Sequence, residues 1–211
     1  MIQNASLLDV NKMYTYADYL TWHVQEQLEL IKGRLFKMSP APLRYHQELS
    51  GALYRELSVY LQRKSCKVFH APFDVRLPTS QKKQNDTQID TVVQPDIVVV
   101  CDTSKLDRRG CVGAPDLIIE ILSPSTAAKD VKEKFQLYEE TGVREYWIVH
   151  PDEAILEVFK RDEQNQYSLE KIYTRNDTVS VGIFDDFSID LNDVFEEERS
   201  DYTPTEREHR L

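Results

Sequence analysis

The fold is decided between Gln94 and Lys134, where the sequence reads QPDIVVV (94–100), APDLIIEILSPST (114–126) and KDVKEK (129–134). The first two segments are almost continuous apolar runs, and Pro-Asp opens each of them. Such runs are typical of strands that are covered on both faces of a sheet. The third segment has the apolar spacing of an amphipathic helix and carries lysines. This stretch therefore predicts two central strands followed by a helix.

Glu120 interrupts the second apolar run and therefore needs a partner. Desolvating a lone carboxylate costs several kcal/mol, so a cation from the protein, a metal ion or a proton must compensate it. Asp116 lies on the same face of the strand, but at about 3.3 Å per residue it is roughly 13 Å away, too far to share one ion. If the two strands run antiparallel, Asp96 at the start of the first strand lies beside Glu120.

Two carboxylates and the Ile121 carbonyl would form an all-oxygen site, which suits Mg²⁺ or Mn²⁺ better than zinc. A divalent ion there would activate water and neutralise charge that develops on a phosphate. On the following helix, Lys134 falls beside the inward stripe that contains Val131, so its ammonium is directed toward the sheet. The alternative is an exposed ion pair between Lys134 and Asp130, which would contribute only about 0.2–0.5 kcal/mol.

The other elements follow from apolar spacing and turn residues. His46 falls within the apolar stripe of the second predicted helix, where it is either a core imidazole satisfied by hydrogen bonds or a residue at the rim of an active site. The predicted elements are a helix over 16–27, a β-hairpin over 28–38 with its turn at Lys32-Gly33, a helix over 43–63, a strand over 67–77 interrupted at Pro72, a helix that ends at Gly142, a buried strand over 145–149, three antiparallel strands within 155–183, and a short final helix after Phe187.

Composition favours one globular domain. The chain has 211 residues, 41% of them hydrophobic, and no stretch approaches the roughly 20 apolar residues of a membrane span. We expect one domain over 1–195 and a solvated acidic tail over 196–211. A cytoplasmic location is expected because the N-terminus does not resemble a secretory signal. The three cysteines, Cys66, Cys101 and Cys111, form no C-x-x-C pair, which predicts reduced structural thiols.

A net charge of −10 argues against a protein that coats nucleic acid through its overall field. It leaves room for a local basic groove. The basic residues compatible with one lie largely in predicted loops: Arg63, Lys64, Lys67, Lys82, Lys83, Lys105, Arg108 and Arg109.

Taken together, these motifs resemble the Uma2 (DUF820) family, a branch of the PD-(D/E)xK restriction-endonuclease-like superfamily. The resemblance rests on the two PD strands, on D-x-x-x-K within KDVKEK and on YEETGVREYWIVHP (138–151), and it covers most of the chain. Asp96 matches the PD aspartate and Glu120 the acidic residue of (D/E)xK. Leu122 stands where that motif has its lysine, a departure that the family makes good with a lysine on the next helix, here Lys134. Two further family positions are matched by Glu29 and His46.

The resemblance implies an α/β fold of restriction-endonuclease type, with a mixed central sheet flanked by helices; the strand pattern adds an antiparallel C-terminal meander. It also implies a Mg²⁺- or Mn²⁺-dependent endonuclease acting on nucleic acid, with DNA favoured by family analogy. The implied catalytic residues are Asp96, Glu120 and Lys134, the metal ligands are Asp96, Glu120 and Ile121, and Glu29 and His46 are accessory. Cutting two strands needs two sites, which favours a homodimer.

Two alternatives stay open at this point. One is a nucleic-acid-binding or regulatory module that keeps the fold without turnover. The other is a structural ion pair between Glu120 and Lys134 that holds no metal.

Overall fold

The structure, a computed structural model, describes residues 4–38, 43–78, 85–123 and 127–195, with the backbone alone for 127–130. The predicted acidic tail lies outside these ranges. The helices are α1 (Tyr16–Tyr19), α2 (Arg44–Tyr60) and α3 (Ala127–Thr141). The strands are β1 (Leu28–Ile31), β2 (Arg34–Lys37), β3 (Lys67–His70), β4 (Asp74–Arg76), β5 (Val92–Val93), β6 (Ile97–Val100), β7 (Leu106–Asp107), β8 (Gly110–Val112), β9 (Leu117–Ile121), β10 (Glu145–His150), β11 (Ile155–Arg161), β12 (Tyr167–Thr174), β13 (Thr178–Ser180) and β14 (Ser188–Asp190).

The central sheet has six strands in the order β12-β11-β10-β9-β6-β3. β9 and β10 are parallel and the other neighbours are antiparallel, which confirms the predicted mixed sheet and its antiparallel C-terminal meander. The two PD strands, β6 and β9, pair antiparallel with Ile97 opposite Ile119. Continuing this register by one residue places Asp96 opposite Glu120.

The two faces of the central sheet are covered differently. On one face, α2 packs its buried stripe of Leu49, Leu53 and Leu57 against alternate residues of β6 and β9, such as Val99 and Leu117. On the other face lie α3 and a second sheet, which bury the intervening residues of the same strands. Both faces are therefore apolar, as the uninterrupted runs predicted, and Asp96 and Glu120 lie together at one end of β6 and β9.

The second sheet has the order β2-β1-β5-β4-β8-β7. Its first two strands form the predicted hairpin, with Lys32 (φ 50°) and Gly33 (φ 79°) in the left-handed region. Two successive positive φ values are what a tight hairpin turn requires, and glycine adopts them without a steric penalty. The hairpin holds Glu29 on β1 close to the central sheet.

Over the described residues the chain passes between the two sheets five times. Two of these crossovers, from β3 to β4 and from β5 to β6, were not predicted from the sequence. The expected single strand over 67–77 is two strands, β3 in the central sheet and β4 in the second, with Pro72 between them. The chain returns between β5 in the second sheet and β6 in the central one. Proline lacks the N–H that a continuous ladder needs, which accounts for the break at the β3–β4 crossover. These two crossovers lie side by side, because the Ala71 N–H donates to the Asp96 carbonyl at 3.0 Å.

Two predicted helices are wrong. α1 is a single turn that begins with a capping box at Thr15, and Leu20, which the helical spacing required to be buried, is 38% exposed. The expected final helix after Phe187 is instead β14, which pairs with β13 in a two-stranded sheet, followed by turns. There Ile189 is buried between exposed neighbours, the period of two that identifies a strand.

The cysteines also differ from expectation. Cys66 and Cys101 form a disulfide across β3 and β6, because the register that pairs Lys67 with Val100 sets the two sulfurs opposite each other. Only Cys111 keeps a free thiol, and it is buried. The prediction of three reduced thiols is therefore wrong for two of them. Among the described residues, no helix combines the length and apolarity needed to cross a membrane.

Candidate active site

Lys134 lies between two carboxylates that come from different sheets. Its Nζ is 3.0 Å from Glu120 Oε1 on β9 and 3.1 Å from Glu29 Oε1 on β1. All three side chains are buried. Tyr138, one turn further along α3, donates a hydrogen bond of 2.7 Å to the same oxygen of Glu120. The inward direction predicted for Lys134 is confirmed, and Lys132 on the same helix is exposed.

Carboxyl groups outnumber the ammonium group in this cluster. Glu29, Glu120 and the nearby Asp96 outnumber the single ammonium of Lys134. Burial raises the pKa of Glu120 from 4.5 to about 7, and repulsion from Asp96 and Glu29 adds to this, although Lys134 and Tyr138 act in the opposite direction. Burial works against the charged form of Lys134, but its two carboxylate partners outweigh it and raise the pKa of the ammonium. Lys134 is therefore held protonated, whereas Glu120 is harder to ionise than an ordinary carboxyl group.

Asp96 and His46 form a second group around the end of β9. Asp96 Oδ2 accepts a hydrogen bond of 2.7 Å from the Ile121 N–H. His46 Nε2, from the first turn of α2, is 3.0 Å from the Ile121 carbonyl oxygen and 3.4 Å from Asp96 Oδ2. Burial lowers the pKa of His46, but the hydrogen bond and charge of Asp96 outweigh it and raise the pKa overall. Of the two readings of His46, the structure supports the one at the site.

All five predicted site residues with charged or titratable side chains border one cavity of about 330 Å³. The Ile121 backbone completes the group. Ala71 and Pro72 of the β3–β4 crossover and Asp96 of the β5–β6 crossover form part of its wall. The five predicted site residues on the cavity wall are Glu29, His46, Asp96, Glu120 and Lys134.

The oxygen atoms here suit a hard divalent cation. Asp96 and Glu120 lie opposite each other at the strand ends, and the Ile121 carbonyl is directed at the same space. Glu120 uses Oε1 for Lys134 and Tyr138, which leaves Oε2 for a ligand. Carboxylate and carbonyl oxygens are the ligands that Mg²⁺ and Mn²⁺ prefer, and a bound cation would favour the ionised form of Glu120. Within the described ranges, no three His, Cys, Asp or Glu side chains form a metal cluster, so the set depends on the backbone oxygen.

Sequence reasoning missed three groups at the site. The first is the hydroxyl of Tyr138, which bonds Glu120 directly. The second is Tyr146 on β10, whose side chain is fully buried at the cavity wall and whose hydroxyl has no partner among the described residues. The third is Gln94, whose backbone N–H donates a 2.8 Å hydrogen bond to Glu29 Oε1. The aromatic stripe of α3 was visible in the sequence, but not the polar ends of its rings.

Basic residues around the cavity are few. Apart from Lys134, the basic side chain on its wall is Lys37 of β2. Some of the basic residues considered for a groove are engaged elsewhere: Arg109 pairs with Asp86 at 2.7 Å, and Lys105 donates to the Ala114 carbonyl. Lys82 and Lys83 lie outside the described residues. Any nucleic acid that binds here therefore meets a mainly acidic and neutral surface.

Comparison with known proteins identifies the family. The sequence matches the Uma2 family, described as "Putative restriction endonuclease", over residues 16–192. A curated relative, the uncharacterized protein slr1290 of Synechocystis, is 22% identical over 153 residues, or 71% of this chain and 75% of that protein. The crystal structure of "a putative nuclease belonging to DUF820" from Anabaena variabilis superposes with a TM-score of 0.66 at 19% identity, covering 86% of this chain and 97% of that one. The structural likeness shows the shared fold, and the match over residues 16–192 shows that this chain belongs to the Uma2 family.

Proposed function

We propose that this protein is a metal-dependent nuclease that hydrolyses phosphodiester bonds of nucleic acid, with Asp96, Glu120 and Lys134 as its catalytic residues. One observation carries the proposal. A protonated lysine and two strand-end carboxyl groups, one of them with a raised pKa, meet at the wall of an open cavity. A purely structural ion pair needs neither the second strand-end carboxyl group nor the cavity. Family membership supports a nuclease, and DNA is the preferred substrate by family analogy.

Asp96, Glu120 and the Ile121 carbonyl would hold the metal, Mg²⁺ or Mn²⁺. When bound, such an ion supplies Lewis-acid activation of water and neutralises charge on the phosphate. Glu120 is held for this task by Tyr138 and Lys134, which both bond Oε1 and leave Oε2 for the metal. Asp96 is held by the Ile121 N–H, so the two ligands are tied to the same strand end.

Lys134 acts through its charge. A general base must accept a proton, and the raised pKa of Lys134 keeps it protonated at neutral pH. We therefore assign to it the stabilisation of negative charge that develops on the phosphate during water attack. Glu29 holds the ammonium in place from the opposite sheet. His46 contacts Asp96 and the Ile121 carbonyl and positions both.

Titration of metal into chelator-treated protein tests the proposal. We expect isothermal titration with Mn²⁺ to show binding to the wild type and to lose it in Asp96→Asn. Asparagine keeps an oxygen that accepts the Ile121 N–H but removes the charge, so the strand end stays intact. Cleavage of plasmid and oligonucleotide DNA should require the metal and stop with chelator. The absence of heat at millimolar metal, with no cleavage, would remove the mechanism.

A second candidate is a nucleic-acid-binding module without turnover. It is favoured by the fact that Lys134 already pairs both Glu29 and Glu120, which allows the cluster to exist without metal. The two functions give opposite results in one measurement. A binding module retains oligonucleotide affinity in the presence of chelator and cleaves nothing when metal is added.

A further inference from the structure

A second cleft, of about 230 Å³, adjoins the catalytic cavity. The two share Gln27 and Pro72 as wall residues, so a ligand in one is next to a ligand in the other. Nothing in the proposed reaction uses this second cleft.

The cleft has an aromatic wall. Tyr19 and Trp22 line it with their ring centroids 5.5 Å apart, and both rings are only half-buried. Behind them, Trp22 makes an edge contact with the buried Tyr14 at 5.1 Å, and Tyr19 stacks on the buried Tyr16 at 5.7 Å. The two rings are thus fixed from behind, while part of each remains open to a ligand.

An oriented amide completes the wall. The Gln94 side-chain N–H₂ donates to Asp74 Oδ1 at 2.8 Å and to the Tyr19 hydroxyl at 3.3 Å. Both bonds use the amide nitrogen, so the side-chain carbonyl remains to accept a hydrogen bond from a ligand. The backbone N–H of the same residue holds Glu29, which pairs with Lys134. The second cleft is therefore linked to the catalytic lysine through two contacts.

The charge of the cleft indicates what it would bind. Glu26 is the one ionisable acid or base on its wall among the described residues apart from the Tyr19 phenol, and neither lysine nor arginine lines it. A phosphate would find no cation there. A flat, neutral ring with polar edges would find aromatic surface to stack on and an amide carbonyl to pair with.

We propose that this cleft takes a nucleobase of the nucleotide next to the phosphate being cleaved. This assignment rests on the proposed nuclease function and adds to it whether the nucleic acid is single-stranded or duplex. A base inside a duplex is stacked and paired, and it must leave the duplex to enter a pocket in the protein. The protein would therefore act on single-stranded or unpaired nucleotides in preference to intact duplex.

Tryptophan fluorescence tests this directly, because the chain has two tryptophans in opposite environments. Trp22 faces the cleft, whereas Trp147 is 0% exposed in the core against α2. Chelator-treated protein is titrated with octathymidylate and, separately, with an abasic deoxyribose-phosphate chain of the same length. Tryptophan emission is recorded in each titration, and the fluorescence anisotropy of labelled chains measures binding. We expect saturable quenching by octathymidylate alone. Trp22→Phe should show no change in emission, because only Trp147 remains.

Trp22→Ala should weaken octathymidylate binding about tenfold, the effect of removing one stacking partner, with binding of the abasic chain unchanged. Trp22→Phe keeps a ring and should retain most of the affinity, which separates stacking from a general loss of structure. Any one of three results would overturn the assignment. These are equal quenching by the abasic chain, binding of octathymidylate without quenching, and no binding of octathymidylate.

Cleavage separates this inference from the function on which it rests. If the protein quenches with octathymidylate but does not cleave with Mn²⁺, the cleft is a base site in a binding module and the nuclease proposal has failed. If it cleaves duplex and single strands equally without quenching, it is a nuclease and the base site is wrong.

Discussion

Glu29 and Glu120 lie on different sheets and share one ammonium, with Lys134 Nζ 3.1 Å from the first carboxylate and 3.0 Å from the second. This arrangement changes what a lysine substitution can reveal. Removing one partner of a buried pair leaves an uncompensated charge, and here two carboxylates lose their partner at once.

Lys134→Met is expected to lower the free energy of unfolding by about 3–5 kcal/mol and to abolish cleavage. Urea denaturation of chelator-treated protein measures the first effect. Lys132→Met is the matched control, because Lys132 is exposed on the same helix and its loss should change stability by less than about 0.5 kcal/mol.

Added metal then separates a metal site from a structural pair. Mn²⁺ should restore stability to Lys134→Met, because a cation can neutralise Glu120 in place of the ammonium. A variant whose midpoint in urea does not respond to Mn²⁺ would support the structural ion pair.

Glu120→Gln should change how stability depends on pH in the absence of metal. The pKa of Glu120 is raised from 4.5 to about 7 on folding, so the folded state binds this proton more tightly than the unfolded state. The resulting stabilisation is fully present below pH 4.5 and is lost as the pH rises through 7. Glutamine is neutral throughout, and Lys134 keeps Glu29. Urea titrations at pH 5 and pH 8 should show the wild type losing stability relative to the variant at the higher pH; an equal difference at both pH values would contradict this.

Tyr138→Phe and Tyr146→Phe should give different results, although both remove only a buried hydroxyl. The Tyr138 hydroxyl bonds Glu120, so its loss should cost about 1–2 kcal/mol of stability. The Tyr146 hydroxyl has no partner among the described residues and lies at the cavity wall. Its loss should leave stability unchanged, because no hydrogen bond to a described residue is removed, and should leave cleavage unchanged, because the oxygen is enclosed by protein. Thermal unfolding and single-turnover cleavage distinguish the two; destabilisation by Tyr146→Phe would assign it to packing.

The Cys66–Cys101 disulfide should stabilise the fold. It closes a loop with a sequence separation of 35, for which loss of unfolded-state entropy contributes about 4 kcal/mol at most. The double variant Cys66→Ala/Cys101→Ala should unfold at lower urea, and a reducing agent should shift the wild type, but not the double variant. Cys111→Ala is the control and should stay sensitive to the reducing agent. A wild type that ignores the reductant would show that the bond adds nothing.

Local sequence predicted the placement of Asp96, Glu120 and Lys134 better than it predicted the path of the chain. Asp96 and Glu120 were placed together because strand register follows from two apolar runs, and Lys134 because helical periodicity gives its direction. Glu29 could be named only from the family resemblance, because nothing within LELI indicates which helix covers it. The sheet crossovers were missed for the same reason. A break at Pro72 shows that a ladder stops, but not that the next strand joins another sheet.

The errors at the ends of the domain have a physical cause as well. Four-residue spacing over 16–27 resembles a helix only if its apolar positions are buried, and Leu20 is not. The sequence also contained a signal for the disulfide. Cys66 immediately precedes one strand and Cys101 immediately follows another, so an antiparallel pair would set them opposite each other.

The β3–β4 and β5–β6 crossovers join the two sheets beside the acidic residues. The distances of Glu29 from Asp96 and Glu120 therefore depend on how the two sheets pack against each other. Glu29 belongs to the β1–β2 hairpin of the second sheet and Glu120 to the central sheet. Asp96 belongs to the segment that joins the two sheets. Because Lys134 bonds Glu29 on one sheet and Glu120 on the other, a change in the distance between the sheets would alter these two ion pairs, while Asp96 and Glu120, on paired strands, would keep their register.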